Sequence, residues 1–308
     1  MEAMRRWVAL TAVAPVAWGA NYYVTRQFLP ADHPLWGAAL RALPAGLLLM
    51  ALSRRRPQRS WWWKSAVLGV LNTSAFFVLV YVASQLLATS VASMVMAVSP
   101  LVMMLCAWVL LRERPRVAHV AGALTGLVGV ALMLGTSGTV DLMGVLASAA
   151  ALLASSVGYV LSKRWGAGPG VLSVTAWQLT WGGLLLVAVA AIAEGAPPAV
   201  DAAALAGFGY TAFVATALAF LAWFAGLRHL SAGTVGLIGL LNPVTGVLLG
   251  TTLAAEALTG RQGLGMGLVL IGILLGRPGT RRDRVLTRSQ PRPRPTVETT
   301  APAPPTSP

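Results

Sequence analysis

The chain has 308 residues, of which 56% are hydrophobic and 10% charged, with a mean hydropathy of +0.72 and a formal net charge of +14. Soluble domains carry about 25% charged residues, so this composition excludes an ordinary soluble enzyme. It also confines charge to the segments between apolar runs, which removes the basic face that a nucleic-acid reading would need.

A hydrocarbon core about 30 Å thick takes roughly 20 apolar residues per helix, because backbone polar groups find no water there and must pair within the segment. Apolar runs broken by charge, Pro or turn residues fall at 7–24, 35–52, 65–83, 90–111, 117–135, 142–161, 171–193, 202–225, 231–253 and 258–276. The first follows Arg5 and Arg6, a flank also found on signal peptides, but this span carries residues that recur in the second half. The second holds Arg41. After it come Arg54-Arg55-Arg56-Pro57-Gln58-Arg59 and Trp61-Trp62-Trp63, a positive-inside loop followed by an interfacial aromatic belt. The fourth and ninth contain Pro100 and Pro243. Each would remove a backbone donor in mid-helix and act as a hinge. Arg261 interrupts the start of the tenth. From Arg277 the chain is rich in Arg, Pro and Thr and reads as a disordered cytoplasmic tail.

Charge position checks this count, since Lys and Arg are retained on the cytoplasmic side of short loops. With the N-terminus inside, the inner segments hold 20 of the 23 basic residues. The outer segments keep Arg26 and Arg261, together with Asp32, Asp141, Glu194, Asp201 and Glu256. Ten spans with both termini inside predict this alternation.

Self-comparison shows an internal repeat. An offset of 143 places Ser99-Pro100 and Glu113 on Asn242-Pro243 and Glu256, Tyr81 on Phe224, Gly122 on Gly265 and Gly129 on Gly272. An offset near 137 places Arg41 and Gly46 on Gln178 and Gly183. Five spans per copy is odd, so the second copy enters the membrane inverted. The expected fold is an all-α membrane protein of ten transmembrane helices in two inverted five-helix repeats, residues 1–139 and 140–276, followed by the tail 277–308.

These residues resemble the EamA-type branch of the drug/metabolite transporter superfamily. The resemblance covers about residues 7–276 and rests on Trp18-Gly19-Ala20-Asn21, Ala39-Leu40-Arg41, the stretch from Ser99-Pro100 to Leu110-Leu111-Arg112-Glu113, and Asn242-Pro243 to Glu256. This chain has Arg112 where the family commonly has Gly before the Glu. The resemblance implies a small-solute carrier whose cavity is walled by spans 1, 3, 4, 6, 8 and 9.

In an alternating-access carrier the substrate site lies near the midplane, and polar groups inside helices mark it. The candidates are Trp18, Asn21 and Tyr22; Asn72 and Thr73; Ser99; Ser155, Ser156 and Tyr159; Gln178; Tyr210 and Thr211; and Asn242. Interhelical hydrogen bonding is the competing role for each. Arg41 is the ionised group inside a span. It either meets an anionic substrate group, or snorkels and pairs structurally. Glu113 and Glu256, at helix ends, are capping or gating groups. His33, His119 and His229 also lie at helix ends. With no titratable carboxylate or His at mid-membrane, facilitated diffusion or exchange is expected rather than proton coupling.

The same distribution supplies no nucleophile–base pair and no metal cluster, so no catalytic residue, metal or cofactor is expected. The small-residue spacings Gly122/Gly126, Gly263/Gly267 and Gly272/Gly276 serve either packing within the chain or a homodimer through spans 5 and 10. A carrier exporting a small metabolite, amino acid-like or drug-like, from the cytoplasm is the leading reading. A non-transporting membrane sensor or scaffold is the alternative, with a membrane-embedded enzyme behind it. The expected partners are a small-molecule substrate and the lipid bilayer, without nucleic acid.

Overall fold

A computed structural model describes residues 2–30, 32–87, 95–134, 141–166, 168–253 and 259–276. Glu256, the tail 277–308 and the side chain of Tyr22 lie outside the described residues. Among the described residues every regular element is helical: α1 (Glu2–Phe28), α2 (Pro34–Ser53), α3 (Trp61–Gly69), a π-helical segment (Val70–Ser74), α4 (Ala75–Leu86), α5 (Ser99–Leu111), α6 (Val117–Leu134), α7 (Leu142–Trp165), α8 (Val171–Ala193), α9 (Ala202–Gly209), a second π-helical segment (Tyr210–Leu218), α10 (Ala219–His229), α11 (Ala232–Gly239), α12 (Leu241–Leu253) and α13 (Gly260–Leu275). The third span is thus α3, a π segment and α4; the eighth is α9, a π segment and α10.

Among the described residues, seven stretches are long and apolar enough to cross a membrane: Pro34–Ser53, Trp61–Ala83, Val117–Leu134, Leu142–Trp165, Val171–Ala193, Ala202–His229 and Ala232–Leu249. α1 is longer, at 27 residues, but begins with Glu2, Arg5 and Arg6. α5 and α13 are apolar and shorter. The 16 residues of α13 rise only about 24 Å at 1.5 Å per residue. The outward surface is apolar: Val109 is 70% exposed, Leu142 72% and Ile192 87%. Large apolar side chains spread over a whole surface suit lipid, where they incur no hydration cost. The protein is a multi-pass membrane protein.

The helices begin where local chemistry tells them to. Asp141 accepts from Gly144 N at 2.8 Å and Asp201 from Ala204 N at 2.7 Å, each satisfying an orphan donor of the helix it opens. Ser231 does the same for Thr234 N, and Thr259 forms a reciprocal capping box with Gln262. At the end of α5, Arg112 takes a left-handed conformation (φ 57°), and Glu113 N donates back to the Ala107 carbonyl. This is the turn that a glycine makes without steric cost, and here it forms with Arg.

The prolines correct one expectation. Pro100 and Pro243 do not interrupt continuous helices. The fourth span has a turn at residues 97–98 and restarts at Ser99, and the ninth breaks at Leu240 between α11 and α12. Both prolines therefore sit in the first turn of a new helix, where the missing N–H has no intrahelical partner to lose. Tighter bonds close both breaks, Val98 N to Val95 O at 3.2 Å and Leu240 N to Leu237 O at 3.1 Å.

Contacts collect at two ends. At the first, Trp7 stacks on His229 at 3.5 Å, Trp177 Nε1 donates to the Arg55 carbonyl, and Trp63 meets Trp165. Trp61 and Trp62 of the expected aromatic belt meet Trp177 and Trp181 nearby. At the second, Glu194 accepts from Leu35 N and Trp36 N at 2.7 and 3.0 Å, and Phe28 lies against Gly207. Basic loop segments belong to the first end; Asp141, Glu194 and Asp201 belong to the second.

Between the ends, glycines let two helix pairs approach backbone to backbone. Gly122 meets the carbonyl of Gly272, and Gly129 that of Gly265, where α6 crosses α13. Gly46 meets Leu179 and Thr180, and Gly183 meets Leu43, where α2 crosses α8. A Cβ at any of these four places would have to displace backbone atoms. Gly126 and Gly276 face Leu240 and Leu237, whereas Gly263 and Gly267 have nothing within 4 Å.

Candidate functional site

The candidate residues fall into three groups. In the first, Asn72 stands in the π segment of the third span, fully buried, and donates to Gln178 Oε1 on α8 at 2.7 Å and to Ser162 Oγ on α7 at 3.3 Å. The amide is seated against Gly158, whose missing Cβ leaves it room. Its oxygen, Gln178 Nε2 and the hydroxyls of Thr73, Ser156 and Thr175 are buried without a hydrogen-bond partner. An unmet buried group costs about 1–3 kcal/mol. The unmet amide atoms of Asn72 and Gln178 and the hydroxyl of Thr73, on two elements packed together, are therefore poorly explained by packing alone and suit a place that holds water or solute.

The second group surrounds Arg41. Its Nε donates to Thr216 Oγ1 in the π segment of the eighth span at 3.1 Å, and its guanidinium carbon lies 4.6 Å from the centre of the Phe77 ring. Tyr159 is buried elsewhere in the bundle, with its ring edge-on to Trp223 at 5.5 Å and Phe224 at 5.8 Å. Arg41 is thus turned inward, bridging α2 to the eighth span.

In the third group, α1 is tied to the eighth span by two reciprocal bonds. Trp18 Nε1 donates to the Ala215 carbonyl at 2.9 Å, and the Tyr210 hydroxyl donates to the Ala17 carbonyl at 3.1 Å. A π-helical turn shifts the backbone register by one residue, which leaves carbonyls available to such side-chain donors. Gly19 lets Thr245 and the Asn242 carbonyl approach, so α1 also packs on α12. Asn21 donates to Thr25 at 3.4 Å, and the side-chain oxygens of Asn21 and Asn242 lack partners.

Other candidates stand apart from these groups. Ser155 and Thr211 bond carbonyls of their own helices, Leu152 and Phe208, and Ser99 opens α5 half-buried. Glu113 accepts from Ala232 N at 3.2 Å at the start of α11 and forms an ion pair with Lys163, which also donates to the Leu230 carbonyl at 2.9 Å. His119 is buried and bonded to Thr234 at 3.0 Å. No group of three His, Cys, Asp or Glu that could hold a metal occurs among the described residues.

The sequence reading passed over Thr216, Ser162, Phe77 and Trp223. Thr216 was detectable, because the offset of 143 places Thr73 on it. Trp223 packs on Trp18 at 5.2 Å, and its indole N–H is buried without a partner. A tryptophan deep within a span is itself a sign of a polar handle.

The pattern described as the EamA-like transporter family matches this chain twice, over residues 5–135 and 142–276. Protein PecM of Dickeya dadantii is 36% identical over 265 residues, covering 85% of this chain and 89% of that protein. The "Probable amino-acid metabolite efflux pump" of Salmonella typhimurium is 26% identical over 294 residues, covering 89% and 96%. A solved protein crystal structure aligns with a TM-score of 0.78 at 24% identity, covering 92% of this chain and 99% of the other, a likeness of fold.

Proposed function

The chain belongs to the EamA-like transporter family, and from that premise we propose that it is a secondary carrier exporting a small amphipathic metabolite by alternating access between two inverted five-helix halves. It is a membrane transporter and not an enzyme; substrate class, direction and mechanism are the proposal.

One observation carries it: contacts across the proposed halves are reciprocal. Gly122 and Gly129 correspond in sequence to Gly265 and Gly272, yet Gly122 meets Gly272 and Gly129 meets Gly265. Gly46 and Leu43 correspond to Gly183 and Thr180, and Gly46 meets Thr180 while Gly183 meets Leu43. Residue i touching the counterpart of j, and j the counterpart of i, is the signature of a two-fold axis. The polar pairs obey the same rule. Arg41 reaches the π segment of the eighth span, and its counterpart Gln178 reaches the π segment of the third. The two family matches, one per half, support the same division.

On this reading Arg41, Thr216, Gln178 and Asn72 lie at the boundary along which two halves would rock. The site offers a cation, amide and hydroxyl groups beside Phe77, Tyr159, Trp18 and Trp223, a lining suited to a solute with a polar or anionic head and an apolar body. Export leans on the Salmonella relative, named a probable amino-acid metabolite efflux pump. Placement in the cytoplasmic membrane with both termini inside leans on the basic end of the bundle. The same reading takes Glu113 as a cap and tether at that end, and transport as facilitated diffusion or exchange. A homodimer through spans 5 and 10 would have Gly263 and Gly267 left for it, since the other glycines are used within the chain.

The test is a panel of amino acids and metabolites screened by thermal stabilisation of the purified protein, followed by flux of each hit in proteoliposomes. The expected result is a hit whose flux falls at least tenfold in both Arg41→Gln and Gln178→Leu. Flux unaffected by either, or substrate-driven proton movement that survives Glu113→Gln and Glu256→Gln, would overturn the site and the coupling respectively.

A further inference from the structure

We propose that the cavity between α7, α8 and α10 is a second ligand site, separate from the Arg41 crossing, and that it takes a small amphipathic organic anion. The cavity measures about 310 Å³, at the small end of the range that holds organic ligands. It lies at the basic end of the bundle. Its lining is graded: Lys163 and Arg228 at one side, Val174, Phe224 and Leu227 as walls, and Ser162 and Thr175 as polar groups among them. Such a gradient matches a molecule with an acid group at one end and an apolar body at the other.

Charge at the mouth is net positive. Lys163 is balanced by Glu113, while Arg228 is exposed and forms no ion pair among the described residues. Arg presents a planar fork that suits a carboxylate or phosphate. Independently, Thr175 is 0% exposed, and its hydroxyl has no hydrogen-bond partner. A threonine that only filled space would be replaceable by valine, and in an α-helix its hydroxyl ordinarily bonds a carbonyl one turn back. Thr175 leaves that bond unmade beside a cavity. Ser162, on the same lining, also receives the Asn72 amide, so a bound anion would be sensed at the buried pair of Asn72 and Gln178.

An acid group on an apolar body describes both a soluble organic acid and an anionic lipid, whose headgroup can enter basic pockets between membrane helices. The experiment separates them using the full-length protein in phosphatidylcholine nanodiscs. The probe is 3-phenylpropanoate, with its uncharged amide as control. The acid is expected to raise the unfolding temperature in a saturable way, the amide is not, and Arg228→Gln should weaken the acid's apparent affinity at least tenfold. Thr175→Val should leave the ligand-free protein at least as stable as wild type while weakening the acid's effect. In a second arm, phosphatidylglycerol replaces part of the lipid. A stabilisation that Arg228→Gln abolishes, and to which the probe adds nothing, assigns the site to the lipid headgroup. Absence of any response in both arms overturns the proposal, as does a response unchanged in Arg228→Gln and Thr175→Val. A Thr175→Val protein less stable than wild type without probe also overturns it, because the hydroxyl would then already be paired.

Discussion

Where α6 meets α13, glycines bring backbone against backbone. Where α8 meets the π segment Val70–Ser74, an amide pair is fully buried beside hydroxyls that have no partner. The seam uses the geometry that membranes reward, since without a hydrophobic drive between helices close van der Waals contact is the main attraction. The crossing accepts an unfavourable local arrangement, which is the usual mark of a place kept for a ligand or a moving part. The seam should therefore respond to volume, and the crossing to loss of hydrogen-bonding capacity.

The largest expected effect is at the seam. Gly272→Leu must push α13 off α6 and should cost about 3 kcal/mol, the upper end of the usual range for overpacked sites, read by thermal unfolding in detergent. Gly267→Ala, which meets nothing within 4 Å, should stay within about 0.5 kcal/mol of wild type. Equal responses from the two variants would break the assignment of the seam.

At the crossing, Gln178→Leu strands Asn72 and should cost about 2 kcal/mol. The double variant Asn72→Leu with Gln178→Leu should be more stable than the single one, because neither amide is then left without its partner. A double variant showing the sum of the single losses would mean the pair is packing, not polar balance.

Arg112→Gly, which belongs to neither region, supplies a reference of opposite sign. Relieving a left-handed non-glycine residue should stabilise by about 1 kcal/mol. Small effects are also expected from Pro100→Ala and Pro243→Ala, which should change stability by under about 1 kcal/mol, since first-turn prolines remove no intrahelical bond. A gain of about 3 kcal/mol or more in either would show that the proline interrupts a continuous helix and that the break is not there. Flux unaltered by both would remove the prolines from any hinge.

Much of the fold was legible. The runs predicted at 117–135 and 171–193 appear as Val117–Leu134 and Val171–Ala193, because charge and turn residues bound them and a backbone in lipid has few alternatives to a helix. The turn at Arg112 was less legible, because an arginine gives no hint of a left-handed conformation. The π segments were not legible at all, and at the restarts at Ser99 and Leu241 the prolines signalled an irregularity without telling a kink from a break. Their energy differs little from that of a continuous helix, and partners elsewhere decide it: Trp18 on the Ala215 carbonyl, Arg41 on Thr216, Asn72 on Gln178. Asn72, Gln178 and Arg41 were named from polarity within apolar spans, yet nothing local said which would pair with which.

The sequence by itself determined that the chain is a bundle of membrane helices, where most of them lie, and that residues recur at offsets of 143 and about 137. Those are consequences of apolar length, charge placement and residue identity along the chain. Only the tertiary structure decided that Gly122 faces Gly272 rather than its own counterpart, that Arg41 turns inward to Thr216, and that Thr175 stands unpaired beside a cavity. Contacts of that kind join residues more than a hundred positions apart, and their free energies depend on distance and burial, which no local pattern of residues encodes.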